Sequence, residues 1–159
     1  MSMLRRRPRR AGGQSLVEFA LVLPIIVLLI FGVLDAGVAV FRYNTLSESA
    51  RQANRLAIVN QDVPAVKSEA VAFAPVLNLT TGDVEVCFHA PGAIDTDCSG
   101  DDTCGPPRAL GCLAYVEVST TYTPITPLIG NLIGTIDLDS TSVGPIEYVC
   151  PNPANPTCQ

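Results

Sequence analysis

Residues 19–34 form sixteen consecutive positions without a charge, bounded by Glu18 and Asp35, and residues 36–41 carry the apolar run onward. As a helix, residues 15–41 would be roughly 40 Å long, more than the ~30 Å hydrocarbon core of a bilayer. Pro24, Gly32 and Gly37 are acceptable there, because such residues are commoner in membrane helices than in soluble ones. A carboxylate at the bilayer centre costs roughly 2.5–3.5 kcal/mol on insertion scales. Here the acids stand at the two ends of the run. Asp35 falls near the far interface, where water can reach it, and Glu18 sits at the near mouth.

Charge is laid out across this segment unevenly. The first ten residues contain five arginines and no acid, whereas the chain from Arg42 onward has five basic and thirteen acidic residues. Arginines stay on the cytoplasmic side of a span, so the acidic part is expected to cross. The basic cluster abuts an apolar run and the remainder is acidic, which argues against nucleic acid as a partner. The expected organisation is a basic cytoplasmic leader at 1–13, a transmembrane helix at 14–41 and an extracytoplasmic domain at 42–159. All six cysteines lie in that last part, and an even number in a small extracytoplasmic domain points to disulfides.

The helical pattern does not stop at the membrane. Leu46, Ala50, Ala53, Ala57 and, loosely, Leu56 share a stripe, with Ser47, Glu48, Arg51, Gln52 and Arg55 around the rest. One helix over about 16–60 is therefore expected, with its outer half as the spine of the domain. That continuity disfavours a conventional cleaved signal peptide, whose apolar stretch is shorter and ends at a small-x-small site. After a turn at 60–62, Pro64 can open a second helix, "PAVKSEAVAFAPVL". Three stretches then alternate with period two. "DVEVCFHA" puts Val84, Val86 and Phe88 on one face, "LAYVEVSTTYT" puts Val116 and Val118 opposite Tyr115 and Glu117, and "GTIDLDSTSV" alternates Ile136 and Leu138 with Asp137 and Asp139. "PIEYV" can prolong the last of these, and "TPITPLIGNLIG" reads as a turn with one short helix. The fold class expected is α+β: a long transmembrane helix running into the domain, a second helix, and a small antiparallel sheet of about three strands with disulfide-braced loops.

Gly13 lies five residues before Glu18, between a basic leader and the apolar helix. In that setting the pattern resembles a type IV prepilin-class leader. The resemblance implies cleavage by a prepilin peptidase after Gly13, with Gln14 as the new N-terminus and Glu18 as the fifth mature residue. It also implies that Glu18 pairs with the N-terminus of a neighbouring subunit. More of the chain joins this resemblance: Gln14, Val17, Glu18 and Phe19, then Leu23-Pro24, Gly32 and Asp35, then Ala50, Arg51 and Arg55. Together these are similar to the TadE-like family of the tight-adherence (Flp) pilus system, over about residues 12–58. The chain departs from the family in having Ala53-Asn54 before the second helical arginine, where Gly-Ala is usual, and in an acidic cysteine-rich insert at 87–112. Membership implies a minor pilin or pseudopilin in pilus biogenesis and surface attachment. Its partners would be the lipid bilayer, the prepilin peptidase, other pilin or pseudopilin subunits and assembly proteins.

Six cysteines allow fifteen pairings. If the strands near 84–88 and 113–122 are neighbours, Cys87 and Cys112 bracket one loop and can close it, leaving Cys98–Cys104 and Cys150–Cys158 as local pairs. Closing about 25 residues would contribute roughly 3–4 kcal/mol on the chain-entropy model. A zinc site from His89, Cys98, Cys104 and Cys112 is disfavoured, since the spacings form no compact Cys-x-x-Cys knuckle. "DTDCSGDD" begins like a calcium loop with Asp95, Asp97 and Asp101, but Pro106 stands where a bidentate glutamate is needed. A solvated acidic turn is the preferred reading, and no cofactor is expected. Asn78 opens a sequon with Leu79 and Thr80. With one histidine and no hydrolase, metalloprotease or phosphate-loop motif, the chain does not read as an enzyme. The rival to the pilin reading is an unprocessed single-pass protein whose cysteine-rich head binds a surface ligand.

Overall fold

The computed structural model describes residues 13–92, 98, 102–105 and 108–149. Helix α1 is a single element, Gln14–Ala57, with Pro24 inside it. Every residue of its first half, from Gly13 to Phe31, is exposed. The buried positions begin at Asp35 and continue with Leu46, Ser49, Ala50, Ala53, Asn54 and Ala57. The expected stripe is therefore the face that packs, and its alanines let other backbones approach closely. Ser49 and Asn54 were not assigned to that face by the sequence. Both are buried because each has a partner: the Ser49 hydroxyl donates to the Ala70 carbonyl at 2.7 Å.

The α1 helix ends in a network that fixes the next turn. The Ile58 amide donates to Asn54 O, and Gln61 Nε2 donates to Ala57 O at 3.3 Å and Tyr148 O at 2.8 Å. The Asp62 amide donates to Asn60 Oδ1 at 3.1 Å, an Asx turn that launches helix α2, Val63–Phe73, with Pro64 in its first turn. Helix α2 is shorter than the sequence suggests. Pro75 has no N–H and pushes Ala74 out of the helical region, to φ −122° and ψ 56°, so Pro75–Leu77 forms a separate 3-10 turn.

The sheet has three antiparallel strands in the order β1–β2–β3: Val84–His89, Leu113–Tyr122 and Ile136–Pro145. Val86 stands opposite Val116, and Val116 opposite Ser142. The even-numbered positions Val84, Phe88, Ala114, Val116 and Val118 are buried with Leu46, Ala50 and Val66 in one core. Helix α1 packs on β2 and β3, and α2 on β1. Helix α3, Pro127–Ile133, occupies the β2–β3 connection. Gly144 faces α1 so closely that a Cβ would lie 3.0 Å from both Asn54 Nδ2 and Ile58 Cγ2. With its amide oriented to suit both neighbours, Asn54 donates to Ala114 O at 3.1 Å and accepts from Gly144 N–H at 3.0 Å. Asn54 thus joins the helical spine to the sheet.

The disulfides differ from the expected set. Cys87 bonds Cys98, and Cys104 bonds Cys112. The sheet register gives the reason. Cys87 pairs with Tyr115, three residues after Cys112. An odd offset puts Cys87 and Cys112 on opposite faces, roughly 10 Å apart along the strand, beyond disulfide reach. Cys104 and Cys112 join the core beneath the sheet, while Cys87 lies on the other face. The expected Cys98–Cys104 bond is excluded because each sulfur is already paired. Cys150 and Cys158 lie outside the described residues.

Candidate assembly site on the N-terminal helix

Gly13 precedes α1 with φ −86° and ψ −29°, ordinary values for any residue. Among the described residues, a Cβ at Gly13 would meet nothing within 4 Å. The fold itself therefore does not require glycine here. Glu18 is exposed in the opening turns of the helix, about 6 Å along the axis from Gln14. Around both residues the helix surface is bare: Leu16, Val17, Phe19 and Leu21 are 60–69% exposed. An 18-residue stretch of this run is strongly apolar, and none of it is buried in the chain itself. A helix apolar on all sides is stable where other apolar matter surrounds it, in lipid or among like helices. Length and hydropathy fit a single-pass membrane protein.

Asp35 behaves differently from an acid left at a wet interface. It is only 6% exposed. Its carboxylate accepts from the Ile125 amide at Oδ1 (3.0 Å) and from the Thr126 amide at Oδ2 (3.2 Å). The Tyr122 hydroxyl lies 3.2 Å from the Asp35 carbonyl and 3.5 Å from Oδ1. Thr126 is the N-cap residue of α3, so the acid on α1 satisfies one amide at that helix start and the Ile125 amide just before it. Burial raises the Tyr122 pKa, and the Asp35 charge raises it further. Arg42 sits over the Tyr122 ring at 5.3 Å. Glu18 and Asp35 are not brought together. They stand about 25 Å apart along α1, near the thickness of a hydrocarbon core.

The arginines of the resembling segment, Arg51 and Arg55, are both exposed, and Arg51 pairs loosely with Glu48 at 3.7 Å. Such a surface pair contributes little to stability. Cys104 and Arg108 of the insert lie against β1. The Cys104 amide donates to Phe88 O at 3.0 Å, covering part of that strand's edge. Arg108 stacks 3.6 Å over Phe88 and holds Asp102 at 2.8 Å. His89 is fully buried, edge-on to Tyr115 at 4.9 Å, with Nδ1 3.4 Å from Thr103 Oγ1. Among the described residues no group of three metal-ligating side chains converges. Asp95, Asp97 and Asp101 lie outside the described residues.

Sequence reasoning missed the Asp35 partners. The signal that could have found them is the Tyr122–Thr126 stretch, where a buried-face tyrosine runs into amides ahead of a short helix. No curated protein and no solved structure matches this chain. A family model described as TadE-like protein matches residues 13–55, beginning at Gly13 and spanning nearly all of α1. Over that segment the chain is similar to the TadE-like family, which supports in general terms a pseudopilin-type role associated with the tight-adherence pilus.

Proposed function

We propose that the protein is a minor pilin or pseudopilin that acts in tight-adherence pilus biogenesis and surface attachment, a structural rather than catalytic part of that machinery. The observation that carries the reading is the start of α1. A glycine that the fold does not need stands directly before a bare apolar helix, with a glutamate one turn inside it. A requirement from outside the chain explains such a glycine: a prepilin peptidase needs close access to the Gly13–Gln14 bond. Cleavage leaves an ammonium group at Gln14 one turn from Glu18. In an apolar bundle, a lone Glu18 is costly and one paired with a neighbouring subunit's N-terminus is satisfied. The pairing therefore favours packed subunits over isolated ones. The domain outside the membrane is carried on the same helix, with the chain from residue 42 onward facing away from the cytoplasm.

Intact-mass measurement of the membrane-extracted protein, with and without the prepilin peptidase, tests this. Loss of residues 1–13 only in the presence of the peptidase is expected. Glu18→Ala should then still be cut but fail to co-purify with other pilin subunits. A full-length chain in both backgrounds would overturn the processing claim and favour an unprocessed single-pass protein with a ligand-binding head.

A further inference from the structure

The β2–β3 connection carries an unusual surface. No charged residue occurs from Thr123 to Thr135. Ile125 is 70% exposed, Leu132 86% and Ile133 59%. These are among the barest large apolar side chains outside α1. Their place in the fold gives them meaning. Ile129 Cδ1 comes within 3.8 Å of where a Gly32 Cβ would lie, and Asp35 binds the amides of Ile125 and Thr126. The connection therefore lies alongside the stretch of α1 that ends its apolar run. A 460 Å³ groove between α1 and α3, lined by Gly32, Ala36, Ala39, Ile129 and Leu132, is almost wholly apolar and open to the surroundings.

We propose that this connection is a second membrane contact, dipping into the outer leaflet beside α1 and holding the domain at the bilayer surface. The occupant of the exposed apolar face is lipid. This rests on the reading of α1 as a membrane span. If the hydrocarbon core begins near Glu18, its ~30 Å ends within a turn of Asp35, at the level of α3. The exposed patch is then continuous with the bare surface of α1 and lies at the same depth. The Asp35 contacts fit that depth as well. A carboxylate at the hydrocarbon border is deprived of water, and two backbone amides and a tyrosine hydroxyl satisfy it from within the chain. A water-facing loop would have no need to bury the acid, and its isoleucines would lie against water.

The chain contains no tryptophan, so single-tryptophan variants report on one place each. The full chain carrying Leu132→Trp is reconstituted into phosphatidylcholine vesicles with brominated acyl chains. Leu23→Trp on α1 marks the span, and Thr141→Trp on exposed β3 marks the aqueous face. Lipid bromine should quench the emission at 23 and 132 several-fold and leave 141 unchanged. Quenching at 23 without quenching at 132 overturns the second contact while the span stands. Absence of quenching at both removes the span and the proposal with it. A blue-shifted but unquenched tryptophan at 132 also overturns it, since a second copy of the chain then covers the patch. If Leu132→Trp loses its native disulfides on peptide mapping, Ile125→Trp decides by the same criteria.

Discussion

Asp35 shows how one side chain can organise a region that its own helix does not contain. Its two oxygens take the amides of Ile125 and Thr126, ninety residues away in sequence. Hydrogen bonds to a charged group contribute roughly 1.5–3 kcal/mol, and removing the acceptor leaves both amides unsatisfied. Asp35→Ala should therefore accelerate exchange of these two amide hydrogens by about 10- to 100-fold, with the β1–β2 amides unchanged. Unaltered exchange at 125 and 126 would mean that the loop holds itself. The sequence showed Asp35 only as an acid at the end of an apolar run. Depth can be read from spacing, but a hydrogen-bond partner in a distant connection cannot, because it depends on where the sheet meets the helix.

At the scale of elements, the 3-10 turn Thr81–Asp83 starts β1. Thr80 and Asp83 form a capping box in which the Thr80 amide and hydroxyl both reach Asp83 Oδ2, at 2.7 and 2.8 Å. These two bonds to the ionised form hold the Asp83 pKa below its ordinary value. A lowered native pKa stabilises the fold above the unfolded value near 3.9 and is lost as pH falls through the folded value. Because the group is only partly buried, the effect is modest. Asp83→Asn should lower stability by about 0.5–1 kcal/mol at pH 7. Denaturant unfolding should show the difference shrinking as pH falls from about 4 through the lowered folded value, where wild-type Asp83 takes up its own proton. A difference constant down to pH 2 would assign the loss to packing instead. The elements themselves were largely legible. Leu46, Ala50, Ala53 and Ala57 mark the buried face of α1 at helical spacing, and Val84, Val116 and Val118 mark the strands by alternation. What could not be read was the end of α2, where Pro75 overrode a pattern that continued through Leu77.

The described residues form one long helix with a small α+β head folded onto its C-terminal half. Two short rings shape the insert, with sequence separations of 11 and 8. On the chain-entropy model each stabilises by about 2–3 kcal/mol, locally rather than across the sheet. Non-reducing peptide mapping should recover Cys87 with Cys98 and Cys104 with Cys112. A peptide joining Cys87 to Cys112 would contradict the register between β1 and β2. The apolar run and the helical stripe are properties of neighbouring residues, so the sequence alone determined the helix, its capacity to span a membrane and its likeness to the TadE-like family over residues 13–55. Which cysteines bond, what Asp35 holds, and why Asn54 and Ser49 are buried are relations between distant segments. Tertiary structure decided these, because strand register sets which face each cysteine occupies, and the docking of sheet on helix sets which polar groups meet.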